Sequence, residues 1–239
     1  MNALLLSAGM GERLRPLTLY LPKCLLPITP YGTLLKYWID LLFGMNIDEI
    51  FINAFWKKEK IKDYVDTLDH YRRLSVKVYM MDKLESIGTV IHDLRGSLGD
   101  SFLVINSDTY IDREDVRTFI DCAKVSETKP ICLGVSWQKN VVGKSLVSLA
   151  AGNLVYDFQE KPEEPQEGYS YAGMLLMHTN MANTIYYLKN TERELTRDIL
   201  PLFKNCMTAV DVGEIIDIGS DVAGYYKAVE DISKRTSND

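Results

Sequence analysis

The chain has 239 residues, 46% hydrophobic and 25% charged, ordinary proportions for a globular protein able to bury a substantial core in one unit or two joined lobes. A formal net charge of -6 at pH 7 gives no support to a nucleic-acid or anionic-membrane partner, so any phosphate must be met by locally placed Arg and Lys. No stretch approaches the roughly 18 apolar residues of a membrane span, and the N-terminus enters a strand without a basic leader, which predicts a cytoplasmic protein.

The run Leu4-Leu5-Leu6, ending at Ser7-Ala8-Gly9, reads as a buried strand breaking into a turn. Gly9 and Gly11 allow positive φ and close backbone approach, so consecutive N–H groups can converge on an anion; Arg13, Arg15 and Lys23 add positive charge. Together they describe a phosphate cradle. It is not a Walker loop, because Gly143-Lys144-Ser145 has Gln138 where the upstream glycine should stand. Nor is it the dinucleotide fingerprint: Pro16 keeps a helix from starting where a pyrophosphate would meet its dipole.

Residues 34–45 carry apolar side chains at helical spacing, closed by Gly44 and Asn46. Strands are expected at 47–53, 75–80, 102–106 and 131–137, with helices at 57–71, 88–98 and 112–123, Asp112 being the expected N-cap of the last. Such alternation predicts an α/β fold, a Rossmann-like, mainly parallel sheet with helices on both faces. Ligands of such sheets lie beyond the carboxyl ends of the strands, where Gly9 and Asp108 fall.

From Ser145 the pattern changes, and a smaller lobe is expected to begin nearby. Residues 146–149 and 154–158 flank Gly152-Asn153 as a hairpin, and a Pro- and Glu-rich loop covers 160–168. A strand is expected at 171–177, helices at 180–188 and 196–203, and one or two strands at 207–218. A last helix, 220–233, groups Tyr225, Tyr226, Val229 and Ile232 on one face, and 234–239 form a polar tail.

Asp108 follows the strand 102–106 directly, so its carboxylate should project into the cleft, and Asp217 repeats the logic after Ile215-Ile216. Two carboxylates at two strand ends can share a hard divalent cation that keeps several waters, as Mg²⁺ does. Cys24, Cys122, Cys132 and Cys206 lack metal or disulfide spacing and read as buried or partly buried free thiols. His70, His92 and His178 carry no catalytic pattern, and Trp38, Trp56, Trp137 and the tyrosines of the last helix read as core or interface.

Gly9, Gly11, Arg13, Pro16, Thr18, Pro22, Lys23 and Pro27 match the signature loop G-x-G-x-R-x-x-P-x-T-x-x-x-P-K-x-x-x-P, and the chain resembles the sugar-1-phosphate nucleotidyltransferases. Asn106-Ser107-Asp108 resembles the family's N-G-D, with Ser for Gly. Glu160-Lys161-Pro162 matches E-K-P, and Asp217-Ile218-Gly219-Ser220 resembles W-x-D-x-G-T. The resemblance implies that Ser7, Ala8, Gly9, Met10 and Gly11 hold the nucleotide, that Arg13 and Lys23 are catalytic, and that Asp108 and Asp217 bind Mg²⁺, Asp108 also serving the substrate. Glu160 is then assigned to sugar hydroxyls and Lys161 to the sugar phosphate.

Residues 84–89 resemble the E-x-L-G-T-A-G segment that contacts the nucleoside, which implicates Glu85, Gly88 and Thr89, although Val90-Ile91 replace its Ala-Gly. Tyr171-Ala172-Gly173 resembles the turn whose backbone lies beside the sugar, without the usual Asn. By this likeness residues 1–239 form one nucleotidyltransferase domain: 1–137 mainly nucleotide-binding, 138–218 mainly sugar-binding, 219–239 a C-terminal helix and tail, with no left-handed β-helix extension. The implied reaction condenses an NTP with a sugar 1-phosphate. The likeness is greatest to small mannose- or heptose-1-phosphate guanylyltransferases, with uridylyl or cytidylyl transfer, a non-catalytic nucleotide-sugar-binding subunit and a glycosyltransferase as alternatives. The implied partners are these small molecules, not nucleic acid or membrane, and a homodimer is compatible with them.

Overall fold

The computed structural model describes residues 1–28, 32–125, 129–164, 166–187 and 194–236. Pro165 of the expected loop, Leu188 of one expected helix and residues 237–239 of the tail lie outside them. In chain order the elements are β1 (Asn2–Leu6), β2 (Pro27–Ile28), β3 (Gly32–Thr33), α1 (Leu34–Gly44), β4 (Ile50–Ala54), α2 (Lys58–Asp66), α3 (His70–Ser75) and β5 (Val76–Met80). There follow α4 (Ile87–Leu94), β6 (Ser101–Asn106), β7 (Thr109–Ile111), α5 (Arg113–Val125), β8 (Ile131–Gln138), β9 (Ser145–Ala150) and β10 (Leu154–Glu160). The chain continues through β11 (Gly168–His178), α6 (Thr179–Tyr187), β12 (Met207–Asp211), β13 (Ile215–Asp217) and α7 (Val222–Thr236). This is a mixed α/β fold.

The chain divides into two compact units: Met1–Leu84 with Ile105–Tyr110 and Ile216–Asp239, and Glu85–Val104 with Ile111–Ile215. In the first, β5, β4 and β1 pair in parallel, Leu5 opposite Ile52 and Ile52 opposite Val78. Leu4, Leu5, Ile50 and Ile52 are fully buried, as are Leu34, Leu35 and Trp38 of α1. Helix α1 starts where Thr33 Oγ1 accepts the Lys36 N–H at 3.1 Å, and Trp38 Nε1 donates to Thr109 O at 3.0 Å. Apolar burial fixes the helix and the indole bond fixes its register.

Parallel pairing does not extend throughout the second unit. There β8 pairs antiparallel with β11 and parallel with β12, β10 pairs antiparallel with β12 and β9, and β9 returns to β11, closing a ring of five strands. The expected hairpin is β9–β10, turned through Gly152 (φ 71) and Asn153 (φ 58).

Two expected helices break. Residues 57–71 split into α2 and α3 because Asp69 turns its side chain onto the Arg72 N–H at 3.1 Å and starts a second helix. Residues 196–203 form a π turn, Leu195–Ile199, followed by a 3-10 turn, Leu200–Phe203, since Pro201 supplies no N–H. On α7 the buried face is Tyr225, Ala228 and Ile232, whereas Tyr226 is 61% exposed, off the face expected for it. Trp137 is also exposed; Cys24 and Cys132 are buried, but Cys122 and Cys206 are not.

Candidate active site

β1 delivers the chain to a turn that never becomes an α-helix. After Gly11 come three short 3-10 turns, Glu12–Leu14, Leu17–Leu19 and Lys23–Leu25. Gly11 has φ 62, and a Cβ there would lie 2.8 Å from Thr18 Cγ2. Glycine is required on both counts. Thr18 Oγ1 donates to Gly11 O at 2.7 Å, and Trp56 Nε1 to Thr18 O at 2.9 Å, so the signature threonine clamps the glycine it crowds. Gly9 is not in the left-handed region, but a Cβ there would meet nothing within 4 Å, so its backbone faces open space.

Ser7 also departs from the expected picture of a ligand-facing residue. Its N–H donates to Asn53 Oδ1 at 2.7 Å and its hydroxyl to Ser107 Oγ at 2.8 Å. The N–H groups of Gly9, Met10 and Gly11, by contrast, have no acceptor among the described residues. A row of unsatisfied donors is an anion-binding backbone.

These residues line a cleft of about 350 Å³ bounded by Gly9, Met10, Gly11, Glu12, Arg13, Lys23, Asp108 and Gly219. Among the described residues Arg13 has no carboxylate within ion-pair distance, whereas Arg15, outside the lining, pairs with Glu12 at 3.4 Å. Asp108 follows β6, and Asp217 ends β13; Ile218 N–H donates to Asp108 O at 3.2 Å, bringing the two strand ends together. Lys23 Nζ lies 2.6 Å from Asp108 Oδ2 and 3.6 Å from Asp217 Oδ1. Gly219 N–H donates to Asp217 Oδ1 at 2.6 Å and orients that carboxylate. A Cβ on Gly219 would run into Lys23 Nζ, so the glycine makes room for the ammonium.

Two carboxylates aimed at one positive charge are the donor set of a hard cation, and the Lys23 ammonium stands in for it. Among the described residues no third His, Cys, Asp or Glu joins them. A divalent ion held by one or two carboxylates and completed by substrate phosphates and water fits that set.

The remaining expected residues belong to the second unit. Ser86 caps α4, its Oγ accepting the Thr89 N–H at 3.4 Å, with Glu85 before the cap and Gly88 buried in the first turn. Glu160 closes β10 and accepts from Ser145 Oγ at 2.5 Å; Lys161 follows at φ 51, 67% exposed, its Nζ 3.8 Å from Glu160 Oε1. Ala172 and Gly173 (φ 78) occupy the irregularity where β11 shifts register against β8. β9 pairs with both β10 and β11, Ser145 opposite Glu160 and Leu146 opposite Ser170. Asn53 and Ser107 were missed as site residues; the strand ends Ile52-Asn53 and Asn106-Ser107 were the signal available.

Residues 2–234 match the profile of the nucleotidyl transferase family. The chain belongs to this family. It is 31% identical to the bifunctional protein GlmU of Methanocaldococcus jannaschii over 85% of this chain and 47% of that one. It is 27% identical to the D-glycero-alpha-D-manno-heptose 1-phosphate guanylyltransferase of Campylobacter jejuni over 77% of this chain and 78% of that one. The chain spans about half the length of the first curated relatives it matches. In fold it is similar to the crystal structure of HddC from Yersinia pseudotuberculosis, with TM-score 0.78, 21% identity and coverage of 97% of this chain and 99% of that one. Among the described residues no helix is long and apolar enough to cross a membrane.

Proposed function

We propose that the protein is a nucleotidyltransferase that joins a nucleoside triphosphate to a sugar 1-phosphate, giving a nucleotide-sugar and pyrophosphate. The observation that carries the reading is the convergence of Asp108 and Asp217 on Lys23 beside a cleft lined by Gly9, Met10 and Gly11, whose N–H groups have no acceptor among the described residues. Family membership supports the same class of reaction.

A phosphate monoester is already anionic at neutral pH, so its oxygen needs no general base to attack the α-phosphorus. The new P–O bond forms as the bond to the bridging oxygen breaks, and the electron pair leaves with pyrophosphate. The obstacle is repulsion between anions. Gly9, Met10 and Gly11 hold the β and γ phosphates through their N–H groups, and Arg13, with no carboxylate partner among the described residues, meets the charge growing on the leaving group. Lys23 and Lys161 draw in the acceptor phosphate, and Asp108 and Asp217 would hold Mg²⁺, which supplies neutralisation of the phosphate charge. Glu85, Gly88 and Thr89 take the nucleoside, Glu160 the sugar hydroxyls, and the backbone at Ala172 and Gly173 the sugar ring. In this reading one domain divides its labour among residues 1–137 for nucleotide, 138–218 for sugar and 219–239 as closing helix and tail. In the same reading the protein is cytoplasmic, and a homodimer is compatible with it.

GTP with a mannose- or heptose-type 1-phosphate is the favoured pair. It is supported by segments 84–89 and 217–219 and by the Campylobacter relative, which is matched over most of both lengths. The test is pyrophosphate release from the common NTPs against a panel of sugar 1-phosphates with Mg²⁺. Release with GTP and a manno-configured sugar is expected; release only with UTP or CTP moves the assignment to that base. No release with any pair overturns the reading.

A further inference from the structure

We propose that the buried hydroxyl pair of Ser7 and Ser107 is a positioning device that holds the glycine turn, Lys23 and Asp108 in mutual register. The identity of what it positions rests on the nucleotidyltransferase reading above.

Each member of the network adjoins one piece of the site. Ser7 is two residues before Gly9, Cys24 follows Lys23, and Ser107 precedes Asp108. Ser7 Oγ donates to Ser107 Oγ at 2.8 Å, while Ser107 sends both its hydroxyl, at 2.7 Å, and its N–H, at 3.2 Å, to Leu6 O. Asn53 Oδ1 takes the Ser7 N–H at 2.7 Å, and the Cys24 thiol meets the Ser7 hydroxyl. Ser7 is 7% exposed, Ser107 1%, Asn53 0% and Cys24 2%.

Apolar side chains of similar size could fill this space, but their contacts are non-directional. Hydrogen bonds between buried groups tolerate little displacement, so a network closed on Leu6 O fixes how far the end of β1 stands from the end of β6. A glycine at position 107, as in the N-G-D wording, would supply no hydroxyl. Ser107 supplies the hydroxyl that makes the tie in this chain. It touches no substrate atom and acts through Asp108 and the turn; a displacement near 1 Å in such a constellation costs on the order of 100-fold.

The test compares Ser7→Ala, Ser107→Ala and the double variant with the wild-type chain in three measurements: pyrophosphate release, equilibrium binding of Mn²⁺ with GTP, and thermal unfolding. Each single change is expected to lower kcat about ten-fold, with KM for the NTP changed by less than about three-fold, because backbone N–H groups still hold the triphosphate. The Mn²⁺ concentration for half-maximal binding rises several-fold as Asp108 loses its fixed place. The double variant loses no more than the worse single one, since both cut the same tie. Additive losses, or losses confined to the unfolding midpoint, overturn the inference. If Ser107→Ala does not fold, Ser107→Cys keeps the volume with a weaker donor and takes its place, with an intermediate loss expected. A wild type that binds Mn²⁺ and GTP without releasing pyrophosphate from any substrate pair overturns the functional reading, and the binding shift then decides the inference. A wild type that binds neither overturns both.

Discussion

Lys23 holds its ammonium 2.6 Å from Asp108 Oδ2 and thereby serves as internal counter-ion for two carboxylates, Asp217 standing 3.6 Å from the same nitrogen. In Lys23→Met the carboxylates face each other without that charge. Such a pair seeks another cation. The variant is expected to bind Mn²⁺ several-fold more tightly than wild type without nucleotide, by calorimetry, while turnover falls by about 100-fold or more. Unchanged metal affinity would mean that Lys23 does not occupy the cation seat.

Gly219 makes the same point from the other side. A methyl group there would run into Lys23 Nζ, so Gly219→Ala should drive the ammonium off the aspartates. Its kinetic defect is expected to resemble that of Lys23→Met, and the double variant should be no worse than Lys23→Met alone. A full additive loss would assign Gly219 a separate task.

Arg13 lines the cleft with no carboxylate partner among the described residues, unlike Arg15, which Glu12 occupies. An unpaired cation beside a row of free N–H groups is positioned for developing anionic charge. Arg13→Ala is expected to lower kcat by roughly 100-fold and Arg15→Ala by no more than a few-fold. Steady-state kinetics on both variants decide it; a loss of less than a few-fold for Arg13→Ala would remove its role.

Much of this site was legible because it is written in residues with few alternative uses. An apolar run ending in glycines marks a buried strand opening into a turn, and Asp108 and Asp217 each follow such a run. What the sequence could not display is which strand ends meet. The Ser7–Ser107 bond joins residues a hundred positions apart, and nothing local distinguishes Ser107 from an ordinary strand-ending serine. The same limit explains Gly9: composition names a flexible residue, but whether it takes positive φ or only leaves space depends on neighbours brought by the fold. The split helix at Asp69 has a more local cause, since a capping side chain competes with helix continuation and apolar periodicity does not report it.

Asn53 separates positioning from stability. Its Oδ1 satisfies the buried Ser7 N–H, but its own Nδ2 is buried without a partner among the described residues. Asn53→Leu creates one unsatisfied donor and removes another, each worth about 1–3 kcal/mol. The net change in unfolding free energy is therefore expected to be small, within about 1 kcal/mol, measured by urea titration, while turnover falls about ten-fold as the Ser7 peptide loses its anchor. Stability loss with intact turnover would reverse the assignment.

Cys24 gives the pH dependence. Burial pushes its thiol up from an ordinary 9.0 to about 12, the neighbouring Asp108 charge adding to the rise and the Ser7 hydroxyl opposing it. Between those values the unfolded chain loses a proton that the folded chain keeps. The unfolded state gains, and stability falls as pH rises from 9 towards 12; below 9 the group contributes no slope. One such thiol accounts for at most about 1.4 kcal/mol per pH unit, so Cys24→Ala should flatten the decline of unfolding free energy above pH 9 by up to that amount. The un-ionised thiol is also a poor nucleophile. Iodoacetamide at pH 8 is therefore expected to modify the exposed Cys122 and Cys206 in the native protein and to reach Cys24 and the buried Cys132 only after unfolding. Rapid native labelling of Cys24 would show that the network around Ser7 opens to solvent.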